Sequence, residues 1–414
     1  MSVFPRFTQE TDLAEWLRKQ PQTTHRELTT LGALRTLPLA LEAAPAHPIE
    51  SREKPLNLGP VRFNLLSTEH ANGCLSIFRA ALTSLVAATE LDQTTGEAAQ
   101  HARNTLRDIE KERNSVLSTA SHAASALKYA SSVNSPDIGN HERSSKFAAY
   151  SLFQAWTLLR KVSETSEREE WHADPELTYD VSQLPAVSSR TERLFSVSQP
   201  PQRVSNVWLA FLEDATITTL PWRFWRDWYQ GLLDGKQLDW ELQRRVALID
   251  NEVWNAGPEA VAAEIDRIRS CYELEQEIAN LKEQLAIVQD TPAASLIGDN
   301  GGPPLEDAPA RAFQTDLALI WKQVEELEEE IAKPSPSPSQ LGKIAKALWD
   351  ISRRMAAYCG SIADGMIREG SKEMAKAGAK WTAGATAVTF TAQTESVQSV
   401  AKAIWAFVKT LPPG

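Results

Sequence analysis

Cysteine is nearly missing from this chain: Cys74, Cys271 and Cys359 are an odd three in 414 residues, far apart and with no C-x-x-C pair. That spacing excludes a disulfide framework and a thiolate zinc site, and fits a reducing cytoplasm. Glycine is scarce, at 18, and the β-branched and aromatic runs that mark strands are few, which predicts a mainly α fold. No run reaches the roughly 18 apolar residues of a membrane span. The opening MSVFPRFTQETDLAEW also lacks the basic-then-apolar pattern of a signal peptide. The expectation is a cytoplasmic protein, neither exported by that route nor integral to a membrane.

Catalytic signatures are absent as well. There is no G-x-S-x-G elbow and no G-x-G-x-x-G turn. The stretch Gly298 to Pro304 resembles a phosphate loop only superficially, because Pro303 and Pro304 remove two amide donors and no lysine follows. The seven histidines, His25, His47, His70, His101, His122, His141 and His172, show neither i,i+4 nor H-E-x-x-H spacing. The acidic runs Glu325-Glu326 and Glu328-Glu329-Glu330 read as the solvated face of a heptad helix. The sequence therefore predicts no catalytic residue, no cofactor and no bound metal. An enzyme of unfamiliar type in the N-terminal region stays open as a third reading.

Tryptophan is what the chain has in excess. Six of its thirteen, Trp208, Trp222, Trp225, Trp228, Trp240 and Trp254, fall between residues 206 and 257. Rings at that density bury enough apolar surface for a small helical module to close without metal or disulfide. Pro221 opens a helix carrying Trp222, Trp225, Trp228 and Tyr229 on one face, Gly231 and Gly235 allow a turn, and Asp239 caps the next helix. Arg223 and Arg226 beside the rings also suit a stacked ligand, although core packing explains the rings more simply.

Around that segment the chain divides into recognisable parts. Residues 1–172 predict an alanine-rich helical bundle. Thr11 caps a helix ended by Pro21, Thr24 caps a second ended by Pro38, a proline-rich connection covers 41–60, and helical periodicity resumes from Leu65. Residues 173–205, with Pro175, Pro185, Pro200 and Pro201, read as a linker. Residues 258–333 carry two heptad runs. The first has Cys271, Leu274, Ile278, Leu281, Leu285 and Val288; the second has Phe313, Leu317, Ile320, Val324, Leu327 and Ile331. The glycine-proline break at 291–307 lets them fold back as a coiled-coil-like hairpin, and pairing between chains would satisfy the same stripe. We take Leu274, Ile278, Leu281, Leu285, Leu317, Ile320, Val324 and Leu327 as candidate interface positions for a protein partner or a homo-oligomer.

Residues 334–340 read as a stiff proline-serine spacer. Residues 341–414 form a basic amphipathic region: a helix over 341–358, a weaker one over 361–376, and a last helix bearing Val397, Val400, Ile404, Val408 and Leu411, flanked by Trp405 and Phe407. The net charge of −11 argues against nucleic acid, but it is unevenly spread. Residues 258–333 hold 17 acidic and 6 basic side chains, whereas residues 340–414 hold 10 basic and 5 acidic. A basic, aromatic-flanked helix suits an anionic membrane surface, with Lys372, Lys376 and Lys380 adding attraction, or a small bundle of its own. Val397, Val400, Ile404, Trp405, Val408 and Leu411 are the candidate membrane or docking face.

Four stretches carry a family resemblance: Leu13-Ala-Glu-Trp-Leu with Leu31-Gly-Ala-Leu-Arg-Thr-Leu-Pro-Leu, Trp225-Arg-Asp-Trp-Tyr through Trp254-Asn-Ala-Gly-Pro, Ile297-Gly-Asp-Asn-Gly-Gly-Pro-Pro-Leu, and the lysine-alanine-glycine C-terminus. Together they resemble a set of uncharacterised alanine-rich bacterial proteins, chiefly alphaproteobacterial. In those relatives the glycine-proline segment usually has His where this chain has Asp299. The resemblance implies no catalytic residues. The functional expectation is thus a non-enzymatic helical interaction or scaffold protein; the alternative is a membrane-associating effector, of a toxin or defence type, using residues 341–414.

Overall fold

The computed structural model describes residues 10–41, 63, 65, 67–112, 129–130, 133, 141–162, 179–180, 193–213, 220–290, 308–373 and 383–412. The connection at 42–60, the glycine-proline break at 291–307, and Lys376 and Lys380 lie outside them. Every element among the described residues is helical, and no strand occurs there. The chain divides into two compact units, Met1–Ile265 and Asp266–Gly414.

The first unit holds α1 (Glu10–Leu17), α2 (Gln22–Arg35), α3 (Leu37–Leu41), α4 (Thr68–Thr89), α5 (Gln93–Glu112), α6 (His141–Val162), α7 (Gln202–Glu213), α8 (Arg223–Asp234), α9 (Trp240–Ala247), α10 (Asn251–Asn255) and the start of α11 (Pro258–Asp290). The predicted caps shift slightly. α1 begins before Thr11 and α2 follows Pro21 directly, while α2 ends at Arg35 and Pro38 sits in the first turn of α3, where its missing N–H costs nothing. Asp239 does cap α9, accepting from the amides of Glu241 and Leu242 at 2.8 and 3.4 Å.

The unit is organised on α4, whose alanines allow close neighbours and whose Phe78 enters the tryptophan cluster. Phe78 stacks on Trp225 at 5.1 Å between ring centroids and lies edge-on to Phe211 at 5.5 Å and Trp228 at 6.5 Å. The tryptophan segment therefore closes on the N-terminal helices rather than on itself. Its rings need a partner surface, and α4 supplies it. The Tyr229 hydroxyl donates to the Leu34 carbonyl at 3.1 Å, and the Trp228 indole donates to Gln243 at 2.9 Å. Gly231 is required by the turn after α8: a Cβ there would stand 2.6 Å from the Lys236 carbonyl oxygen. Gly235 then takes the left-handed conformation, φ 70°, at the end of the helix.

The predicted linker is packed where it is described. Leu194 and Phe195 are buried, and Asp180 is held by Arg35 through two hydrogen bonds of 2.6 and 3.0 Å. Arg35 also donates to the Leu194 carbonyl at 2.9 Å. This bidentate pair sits in the core, and α7 starts at Gln202, four residues before the predicted start of the tryptophan module at 206.

The second unit is a four-helix bundle made by the rest of α11, α12 (Ala308–Ile331), α13 (Pro338–Glu373) and α14 (Ala383–Thr410). α13 is one continuous helix where two are predicted, since Gly360 and Gly365 are carried within a stretch rich in helix formers. α14 likewise starts well before Val397. The proline-serine stretch is a tight turn: Glu330 accepts from the Ser337 amide at 2.6 Å and pairs with Lys333 at 2.5 Å, and α13 starts at Pro338.

One contact joins each neighbouring pair around the bundle. Lys282 meets Glu328 at 2.9 Å between α11 and α12, and Asp316 meets Arg354 at 2.6 Å between α12 and α13. Trp349 meets Trp405 at 5.4 Å between α13 and α14, and Ser396 donates to Gln284 at 2.6 Å between α14 and α11. The α11/α12 edge is therefore opposite the α13/α14 edge.

Candidate docking surface

The heptad positions proposed as an interface are placed inside this bundle. Leu274, Ile278, Leu281, Leu285, Ile320, Val324 and Leu327 share one core with Leu341, Ile344, Leu348, Ile351 and Met355 of α13 and with Val397, Val400, Ile404 and Phe407 of α14. Leu317, Val408 and Leu411 pack at its margin. The apolar stripe of the hairpin is thus satisfied by the C-terminal helices of the same chain, a pairing that neither helix pair reveals when read alone. The side chains of Phe313, Val288 and Lys372 lie outside the described residues.

Of the proposed membrane or docking face, Val397, Val400 and Ile404 are fully buried, while Trp405 remains on the surface at 36% exposure. Its ring meets Trp349, itself half-buried, at 54° between planes. Both rings occupy the same helical station. Ile344-Ala-Lys-Ala-Leu-Trp349 on α13 and Val400-Ala-Lys-Ala-Ile-Trp405 on α14 are the same sequence up to aliphatic exchange. The likeness extends from Leu341, matching Val397, to Met355, matching Leu411. It places Lys346 and Arg353 around Trp349 as Lys402 and Lys409 are placed around Trp405, three residues before and four after. Trp349 lies 24 residues before the end of α13 and Trp405 22 residues after the start of α14, so the repeated surfaces meet at the ring pair.

Sequence reading by core periodicity passes over Trp349, Lys346 and Arg353 because they sit off the apolar stripe. Self-comparison of the two helices is the signal that finds them.

Lys346, Arg353, Lys402 and Lys409 are exposed and make no ion pair among the described residues. The acidic neighbours on these helices are Asp350, next to Trp349, and Glu395, well before Trp405. The patch thus combines two indole faces with four exposed cations. Such a surface attracts an acidic partner and has apolar area to desolvate against it.

Polar chemistry in the first unit is enclosed. His25 bonds to the Ser144 hydroxyl through Nδ1 at 2.9 Å and to the Leu17 carbonyl through Nε2 at 2.6 Å, and its ring lies 5.0 Å from that of His141. His141 Nε2 in turn meets the Arg18 carbonyl at 2.8 Å. Burial pushes the His25 pKa down, opposed by the Leu17 hydrogen bond and reinforced by His141 and Arg26. Both nitrogens of His25 are engaged and Ser144 is buried, so the pair fastens α2 to α6 and offers a substrate no entry. No group of three or more His, Cys, Asp or Glu suited to a metal ion occurs among the described residues. The Arg223 and Arg226 side chains leave the tryptophan rings to the core, where Trp225 and Trp228 are fully buried. Arg79 enters instead, 4.9 Å from the Trp254 ring and donating to Asn251, and burial lowers its pKa to about 10.

No protein-family model matches the chain, and comparisons with curated proteins and with solved structures find no match either.

Proposed function

We propose that the chain is a non-enzymatic cytoplasmic interaction protein that works through helical protein–protein contacts. The observation that supports this best is the Trp349–Trp405 patch with its four exposed cations, which make no ion pair among the described residues. Tryptophan and arginine dominate the residues that carry interface energy, whereas a helix face meant only for water has no use for two adjacent indoles. With the heptad side chains consumed by the core, contacts belong to the outer faces of the bundle. Kinship with the alanine-rich alphaproteobacterial proteins, resting on the tryptophan and glycine-proline motifs, is part of the same proposal.

A second reading has its own support. Tryptophan beside lysine is also the composition of a surface that rests on anionic lipid, and Trp405 with Lys402 and Lys409 would be its contact. Both readings are tested on the full chain with Trp405→Glu/Lys402→Glu, two exposed changes. Light scattering follows mass against concentration, and sedimentation with anionic vesicles at low and high salt follows lipid binding. A mass above the monomer that the variant loses supports protein contacts. A monomer that sediments with vesicles at low salt, and ceases to in the variant, moves the function to the membrane.

A further inference from the structure

The bundle that carries the basic patch carries an acidic one on its opposite edge. On α11 and α12 the exposed or half-exposed Glu277, Glu283, Glu325 and Glu329 make no ion pair among the described residues, while Glu273, Glu326 and Glu328 are paired with Arg269, Lys322 and Lys282. The segregation is strong in sequence as well, with 17 acidic and 6 basic residues over 258–333 against 5 and 10 over 340–414. A helical bundle gains nothing in its own fold by separating charge this way, because like charges on one edge repel. The separation stores an attraction that a second bundle, placed edge to edge in the same sense, would release.

We infer that the Trp349–Trp405 patch of one copy docks on the acidic α11/α12 edge of a second copy. The inference rests on the interaction reading given above and names its partner. Lys346, Arg353, Lys402 and Lys409 face Glu325, Glu329 and their acidic neighbours, and the indole pair covers the half-buried Trp321, which precedes Glu325 by four residues and so shares its face of α12. Because the two surfaces differ, the contact is head-to-tail. Each added copy leaves one free edge of each sign, so growth continues unless the rotation closes a ring. An acidic lipid surface is less well matched: the chain as a whole carries −11 and is repelled by it at low salt, whereas a second copy presents acid only where it is needed.

The test uses two full-length double variants at exposed positions, Lys346→Glu/Lys402→Glu and Glu325→Lys/Glu329→Lys. Helicity by circular dichroism should stay at the parental value in both. Sedimentation velocity at about 50 mM and 500 mM salt should show the parent associating with concentration, and dissociating as salt screens the contact. Each double variant alone should associate about a hundredfold more weakly, since like charges then face one another. Mixed, the two variants retain one intact patch and one intact acidic edge, and should associate in equimolar proportion where neither does alone. A parent that associates while either variant behaves as it does, or a mixture that stays monomeric, overturns the head-to-tail contact and leaves the interaction reading standing. A parent that is monomeric at all concentrations and salts overturns the self-association itself. Binding of that monomer to anionic vesicles, lost in Lys346→Glu/Lys402→Glu, overturns both in favour of lipid.

Discussion

The two units use tryptophan in opposite ways. In the first, Trp225 and Trp228 are fully buried and pack ring to ring with Phe78 and Phe211, so aromatic mass fills the core. In the second, the core is mainly leucine, isoleucine and valine at heptad stations, with Met355 and Phe407 among them, and Trp321, Trp349 and Trp405 lie at its edge or outside it. Composition explains the contrast. Helices that meet at irregular angles leave uneven gaps that large rigid rings fill, whereas four long helices in regular register interlock with aliphatic knobs and leave no room for an indole. A tryptophan beside a heptad seam is thereby displaced to the surface, where it is available for contact.

This contrast can be broken most sharply in the first unit. Trp228→Ala should cost about 3–5 kcal/mol, the scale for deleting a large core aromatic, and leave the Gln243 oxygen without its donor. Thermal melting within a degree or two of the parent would show that the cluster is not built on that ring. In the second unit Leu281→Ala should cost about 2–5 kcal/mol and lower helicity there, because the residue is fully buried among α11–α14. A loss of self-association with unchanged unfolding would instead return the heptads to an intermolecular role. Trp405→Ala removes the same side chain as Trp228→Ala but should cost only about 0.5–1.5 kcal/mol, the worth of one aromatic pair. Equal costs for the two tryptophans would erase the distinction.

The smallest effect is one of pH. His25 is neutral in the fold, with its pKa held below the ordinary value of 6.5 by burial. Between its lowered pKa and 6.5 the unfolded chain binds the extra proton, so stability is full above about pH 6.5 and falls as pH drops through that window. The urea midpoint should decline on acidification in the parent and decline less in His25→Gln. Parallel slopes would assign the sensitivity to other groups.

Much of this architecture is readable from residue order. Helical class, the heptad registers and the Asp239 cap follow from local pattern, because each is decided within a few turns of one helix. What escapes is whatever depends on segments distant in sequence. The apolar stripe of α11 and α12 looks the same whether covered by another chain or by α13 and α14. The proline-rich stretch before Gln202 reads as a linker, yet the Arg35–Asp180 pair anchors it. For the docking surface, Trp405 and its lysine are legible as an amphipathic flank, but Trp349 enters only through the repeat that brings it to the same place.

The dependence of α4 on the tryptophan segment sets a timetable for synthesis. Contrary to the expectation that no stretch reaches the measure of a membrane span, α4 contains an 18-residue window of mean hydropathy 1.3, apolar and long enough by composition alone because small residues dilute its polar ones, and in the finished unit 78% of that window is buried. α2, α3 and α5 cover much of it at once, but the cover of its Phe78 side, from Phe211 to Trp254, is translated about 130–180 residues later, which at ordinary elongation rates is a delay of roughly 10–30 s. During that interval the Phe78 side of the helix waits without its partner. Chains stopped before Leu220 should therefore collect in the pellet or on chaperones, while chains carried past Pro258 stay in solution, a difference that fractionation of arrested translation products would read directly.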